Sequence, residues 1–310
     1  MSASISTGLA PTHPGLQPSD RGGEVDRAIL RTVLYASLFQ APVTVAELHR
    51  ALMDVGVDRV EIRSRLRRCF LRSRLEFTGE YVYPRGREAW LDLRRERMRR
   101  TGELLDAHRP LLRAVAGFPF VRLLALSGGC AHDNATDSDV DVFLVVRRGR
   151  VWAVCLALML LSKALGRRRT LCVNYLVDED GLALPERDLF TAAEIVGLRP
   201  LAGGAAYVHF VEANAWVAER FPNFFWMRRD IACVPPAGAP RWMEAALDLG
   251  PAQMLEGVAR RWLGARFRRK WDGAAGVILS PHRLKLHPVD HGPGLRAAFS
   301  ELVDGADADE

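Results

Sequence analysis

Leu126-Ser127-Gly128-Gly129 and, eight residues on, Asp137-Ser138-Asp139-Val140-Asp141-Val142-Phe143-Leu144-Val145-Val146 are the stretches whose reading decides the fold. An apolar run from Val121 to Leu126 leads into a turn of small residues. A second apolar run then opens on two carboxylates at i and i+2. Strand residues i and i+2 point to the same face, so Asp139 and Asp141 project together while Val140 and Val142 face the other way. Two acids side by side repel each other unless a cation sits between them. Mg²⁺ takes carboxylate oxygens and shares its shell with phosphates. The Gly128-Gly129 turn lets backbone N–H groups approach an anion closely. A solvated turn of Asp133, Asp137, Asp139 and Asp141 leaves unexplained why the paired acids run into Val-Phe-Leu-Val-Val.

A strand, a Gly-Ser-type turn and a Ser-Asp-hydrophobic-Asp strand resemble the nucleotidyltransferase superfamily of the DNA polymerase β type. The resemblance covers roughly residues 106–200. It implies an α/β (α+β) fold, a mixed sheet with flanking helices. It implies that Asp139 and Asp141 are catalytic and hold Mg²⁺ (or Mn²⁺), and that Ser127, Gly128 and Gly129 bind the nucleotide. The implied reaction transfers a nucleoside monophosphate from a nucleoside triphosphate to an unidentified acceptor, releasing pyrophosphate. Two departures stand out. Gly129 occupies the place where the family usually has Ser. The family's transferring members carry a third carboxylate on a later strand, and the matching strand, Leu171 to Val177, has Asn174 at that position. Asn cannot act as a base. The alternatives are one-metal or substrate-assisted transfer, an acid from Asp178, Glu179 or Asp180 reaching in, or nucleotide binding without turnover.

The chain has 310 residues, enough for two or three domains, and an apolar fraction of 49%. Its net charge is +6, with arginine crowded between Arg59 and Arg100 and a second basic cluster from Arg260 to Lys270. Such clusters attract polyanions. Five scattered cysteines without a C-x-x-C pair argue against a disulfide framework or a zinc site. Without a recognisable signal peptide the expected location is the cytoplasm. Residues 1–24 are expected to be a disordered tail. Val151 to Leu165 is almost wholly apolar, but as a helix it rises only about 22 Å, short of the roughly 30 Å hydrocarbon core. It predicts a buried crossover helix between the Asp139 and Cys172 strands, and membrane contact is not expected.

Residues 25–105 resemble a winged helix-turn-helix in architecture. A first helix runs from Val25 to Phe39. Thr44 and Glu47 form a capping box for a second helix, ended by Gly56. Asp58 opens a third helix with Val60, Ile62, Leu66 and Phe70 inward and arginines outward. Leu75–Thr78 and Tyr81–Tyr83 make a hairpin across Gly79-Glu80. This order suits a DNA reader, yet a packing or partner-contact role is favoured over nucleic-acid binding.

Residues 201–310 are expected to form a mainly helical C-terminal domain. A helix is predicted to open at Pro185, another to span Tyr207 to Trp216, and a basic one to run from Met254 to Trp271. Trp216, Phe221, Phe225 and Trp226 read as core. His282, His287 and His291 with Asp290 do not match a helical ligand spacing and read as exposed loop histidines, and His132 reads as a turn residue. The sequence thus predicts a Mg²⁺-dependent nucleotidyltransferase-like protein with a nucleoside triphosphate as substrate. The alternative is a catalytically weak nucleotide-binding regulator acting through its winged helix.

Overall fold

A computed structural model describes residues 18–166, 171–227, 235–248, 251–287 and 289–308. The fold is mixed α and β, with a three-stranded antiparallel sheet and a six-stranded mixed sheet.

The N-terminal part comprises α1 (Pro18–Ser37), β1 (Val43–Thr44), α2 (Val45–Arg50), α3 (Arg59–Arg65), α4 (Cys69–Arg74), β2 (Leu75–Phe77) and β3 (Tyr81–Pro84). Because α1 begins at Pro18, the last residues of the expected 1–24 tail are helical, while residues 1–17 lie outside the described residues. The capping box forms. Thr44 Oγ1 accepts from Glu47 N at 3.2 Å, and Glu47 Oε2 accepts from Thr44 N at 2.7 Å. The helix it opens ends at Arg50, well before Gly56. The expected third helix is two helices, broken between Arg65 and Cys69. The break lets Ile62, Leu66 and Leu71 all enter one core with Val25, Ile29 and Val33. Val60 is 76% exposed, against expectation. Residues two apart on a helix stand on opposite faces, so Val60 and Ile62 cannot both point inward. Strands β2 and β3 form the hairpin, turning through Gly79 at φ +92°, and β1 adds on the other side of β3.

Helix α5 (Ala89–Ala116) runs unbroken through the expected domain junction at 105/106. It leads into β4 (Val121–Leu126), α6 (Gly128–Ala131), β5 (Val140–Val146), α7 (Val151–Ala164), β6 (Leu171–Asp178), α8 (Leu189–Gly197) and β7 (Arg199–Ala202). There follow α9 (Gly204–Ala213), a 3₁₀ turn, α10 (Pro222–Met227), α11 (Arg241–Asp248), α12 (Pro251–Lys270), β8 (Val277–Leu279), β9 (Arg283–Leu286) and α13 (Gly292–Ala308). The large sheet has the order β7-β4-β5-β6-β9-β8, with β5 and β6 parallel and the other pairs antiparallel. The segment after residue 200 is therefore not a purely helical unit. Its strands β8 and β9 extend the central sheet beside β6. Helix α8 opens at Asp188, whose Oδ1 accepts from Thr191 N at 2.8 Å, three residues later than Pro185 suggested.

Alternation along the strands builds two cores. Leu124, Val142 and Leu144 face α5, α7 and α12 on one side. Leu123, Phe143 and Val145 face α8, α9 and α10 on the other. Helix α7 is the expected crossover between the parallel strands β5 and β6. Its Trp152 stacks on Phe267 of α12 with ring centroids 6.4 Å apart. Among the described residues no helix is long and apolar enough to cross a membrane. Phe221 lies in the second core, with Trp216 and Phe225 partly buried against it, as expected of core aromatics.

Glu244 on α11 pins the start of β4. Its carboxylate accepts from Phe120 N at 2.6 Å and from both terminal nitrogens of Arg122, at 2.9 and 2.7 Å. Burial alone would raise its pKa, but the Arg122 and Phe120 hydrogen bonds outweigh it and hold the carboxyl below its ordinary value. Removing one partner of a buried pair leaves the other uncompensated. Glu244→Ala should lower unfolding stability by about 3 kcal/mol at pH 7 in urea denaturation. A depressed carboxyl contributes stability above its unfolded pKa and loses it as pH falls through the folded value. The part of the loss that comes from ionisation should therefore fade below the ordinary carboxylate value of 4.5.

Candidate metal and nucleotide site

The site begins with the alternation of β5. Val140 and Val142 pack into the first core, which turns Asp141 to the opposite face with Phe143 and Val145. Asp139 stands just before the strand. The carbonyl of Asp141 accepts from Ser127 N at 3.0 Å, so the end of β4 is locked to the start of β5. Gly128 has φ +56°, and a Cβ there would lie 2.7 Å from Asp141 Oδ2. Only glycine fits that left-handed position and that approach. A Cβ on Gly129 would lie 2.9 Å from the carbonyl oxygen of Asn134, so a serine at this position would push against backbone. Ser127 is 6% exposed, and its Oγ is buried without a hydrogen-bond partner.

Strand β6 supplies the neighbours. Across the parallel ladder Asp141 pairs with Cys172, and Asp139, Asp141 and Cys172 bring ligand atoms within 4.8 Å of one another. Asn174 lies past a register shift between Val142 and Phe143, and it lines the same cavity as Asp141. The residue facing Asp141 across the ladder is thus Cys172, two before the position read as the third-acid place. Asp178, Glu179 and Asp180 do not reach in. They sit at the far end of β6, about 20 Å along a strand from Cys172. Asp178 accepts from Gly149 N, Asp180 N and Gly181 N, and Glu179 and Asp180 pair with Arg122 and Arg148.

Burial raises the Asp141 pKa, and the charge of Asp139 raises it further, while a hydrogen bond from Cys172 acts against both. Burial pushes the Cys172 thiol up to about 12, helped by the Asp141 charge. In the metal-free protein Cys172 is thus a neutral donor to Asp141.

Asp141 lines a cavity of about 640 Å³. Leu38, Phe39, Phe143, Phe190 and Phe210 make its apolar walls. Ser127, Gly128, Gly129, Arg97, Lys285 and His287 line it as well. Arg97 of α5 donates to Asn134 Oδ1 and to the Phe39 carbonyl, both at 2.9 Å. Glu194 of α8, an exposed residue, also lines the cavity.

The sequence reading missed Lys285, His287 and Glu194 as site residues. Lys285 is brought in because β9 pairs with β6, Tyr175 opposite Lys285. The Arg283-Leu284-Lys285-Leu286 alternation was the available signal, though it says nothing of the partner strand. His287, Asp290 and His291 line the cavity rather than standing only in an outer loop, and the two rings are 5.1 Å apart. His282 instead stands 3.0 Å from Asp178 Oδ2 through its Nδ1. His132 leans on the end of α8, where a Cβ on Gly197 would meet its Nε2 at 2.5 Å.

Comparison with known proteins gave no match: no family model fits the chain, and no curated protein or solved structure is similar to it.

Two outcomes check this geometry. Gly128→Ala forces a side chain into a left-handed residue and onto Asp141, and should lower stability by about 1–2 kcal/mol, read from the shift in denaturation midpoint. Asp141 has a raised pKa, so its ionisation costs stability as pH rises from the unfolded towards the folded value. Asp141→Asn should therefore stabilise the metal-free protein at pH 7. That gain should shrink as pH falls towards the ordinary carboxylate value of 3.8.

Proposed function

We propose that this chain is a cytoplasmic, metal-dependent nucleotidyltransferase of the DNA polymerase β type. On this reading its six-stranded sheet is the catalytic core, its N-terminal helices and hairpin are a winged-helix domain, and its later helices flank the core. The observation that carries the reading is the pair of same-face acids, Asp139 and Asp141. Asp141 of this pair lines the cavity directly against a glycine turn that tolerates no side chain.

The donor set fits a divalent cation. Two carboxylates meet at one point, the space a Cβ would fill at Gly128 is taken by Asp141, and a buried hydroxyl on Ser127 lacks a partner. Asp139 and Asp141 would hold Mg²⁺ or Mn²⁺, which neutralises phosphate charge and polarises the phosphorus–oxygen bonds. The backbone of Ser127, Gly128 and Gly129 receives the triphosphate. Lys285 and Arg97 add positive charge near it, and the apolar walls suit a base and sugar. An acceptor hydroxyl or phosphate attacks the α-phosphorus, and pyrophosphate leaves. Glu194 is one of the further carboxylates lining the cavity, with Glu186 and Asp290, and can take the acceptor's proton.

A second reading, a catalytically weak nucleotide-binding regulator, is favoured by the thiol of Cys172 opposite Asp141, where an acid would complete a two-metal cage. The N-terminal arginines support a packing role more than a nucleic-acid one. Arg65 pairs with Asp26 and Glu61, Arg85 with Glu76, Arg94 with Glu47, and Arg99 with Glu96 and Glu103.

The test is incubation with each α-phosphate-labelled nucleoside triphosphate, Mg²⁺ or Mn²⁺, and cell extract. Label should pass to an acceptor with the wild type and not with the Asp139→Ala, Asp141→Ala double variant. In calorimetry the wild type should bind the triphosphate far better with metal than with EDTA, and the double variant should lose only the metal-dependent part. Equal binding with and without metal would sink the proposal.

A further inference from the structure

Strands β5 and β6 pair in parallel, with Asp141 opposite Cys172. Neighbouring strands are about 4.8 Å apart, so side chains directly opposite on one face can share one ligand. The ligand atoms of Asp139, Asp141 and Cys172 all lie within 4.8 Å of one another. Metal–ligand bonds of about 2.0–2.3 Å in a tetrahedron place neighbouring ligand atoms about 3.5 Å apart. Small side-chain rotations therefore suffice to close the three around a single ion.

The cysteine is specific to this place. Of the other described cysteines, Cys69 is exposed, Cys155 is buried in the first core, and Cys130 points its sulfur to the carbonyl of Asp139 at 3.6 Å. A second observation points to a ligand at the same spot. Ser127 is more than nine-tenths buried, has an unpartnered Oγ and lines the cavity beside Asp141. A hydroxyl held without a partner there can serve a metal-bound water or a phosphate oxygen.

Mg²⁺ is a hard ion that keeps oxygen ligands and water and gains nothing from sulfur. Zn²⁺ and Co²⁺ are borderline ions that accept carboxylate and thiolate together. Three protein ligands, of which Asp141 lines the cavity, also match a site that keeps one position for substrate or water. We infer that Asp139, Asp141 and Cys172 form a three-ligand site for a borderline divalent cation of the Zn²⁺ class and hold it ahead of Mg²⁺. When the sulfur–metal bond forms, the Cys172 proton leaves to solvent. The inference rests on the reading of Asp139 and Asp141 as a cation site, adds Cys172 as its third ligand, and puts a Zn²⁺-class ion in the place given to Mg²⁺ above. Spacing along the chain hides such a site, because its ligands meet across a strand ladder and not along a Cys-x-x-Cys loop.

The test uses the full chain, stripped of metal and titrated with Co²⁺ as a spectroscopic probe. A thiolate ligand gives an intense near-ultraviolet charge-transfer band that carboxylates alone do not. The wild type should show this band, and Zn²⁺ should displace it at far lower concentration than Mg²⁺. Cys172→Ser should abolish the band and weaken Zn²⁺ binding by about tenfold or more, since even residues that only orient a ligand are worth about that much. Cys172→Asp, which rebuilds an all-oxygen set, should lose the band and move preference towards Mg²⁺; it serves also if the serine variant fails to fold by circular dichroism. A wild type without the band, or a band that survives in both Cys172 variants, overturns the inference. The Asp139→Asn, Asp141→Asn variant separates the two claims. Co²⁺ binding that lacks the band but is lost in this variant refutes the thiol ligand and leaves the carboxylate site standing. Metal binding that persists in it removes both.

Discussion

The structure turns on the close approach of Gly128 to Asp141. A carboxylate packed 2.7 Å from where a side-chain carbon would stand fixes the residue type at the turn, the direction of the acid and the register between β4 and β5. The Ser127 amide bonded to the Asp141 carbonyl closes the same contact from the backbone side. Two like charges so confined are unfavourable in an empty site. Burial adds to the cost, as the raised Asp141 pKa records. A fold that keeps both acids there stores an affinity for positive charge beside the cavity that Asp141 lines. Such pre-organisation is what binding of a cation and its phosphates requires.

The rest of the architecture converges on that point from distant parts of the chain. The turn after α1 contributes Phe39, α5 contributes Arg97, α8 contributes Glu194, and β9 with the residue that follows it contributes Lys285 and His287. The sheet makes this possible. One face carries Leu124, Val142 and Leu144 into a continuous apolar core, so the other face can give up packing near the β5 start and leave a cavity. Glu244 and Asp178 hold strand ends at the opposite side of the sheet, each accepting several backbone or guanidinium donors. Those carboxylates are committed to structure, which separates them from the site acids.

Much of this was legible in local pattern. The alternation Val140, Val142 against Asp139, Asp141 is a property of any strand, and the capping box at Thr44 and the crossover helix after Gly149 follow from short-range rules. What was not legible depends on contacts between remote segments. Nothing near Lys285 announces that its strand pairs with Tyr175, and nothing near Cys172 announces that it faces Asp141 and not the residue two places on. The register shift after Val173 moves Asn174 out of the place that counting along the strand assigns to it. The split of the third N-terminal helix is a tertiary override: Leu66 and Leu71 share a core that one straight helix could not serve.

The central claim is that Asp139 and Asp141 hold a cation against phosphates bound on the Ser127–Gly129 turn. Crystals soaked with Mn²⁺ and a non-hydrolysable nucleoside triphosphate, measured at the manganese absorption edge, test it most directly. The account predicts an anomalous peak within bonding distance of both carboxylates, with phosphate oxygens on the same ion and the base among the apolar walls beside Phe143. Manganese bound elsewhere, or a nucleotide seated away from the Gly128 turn, would contradict it.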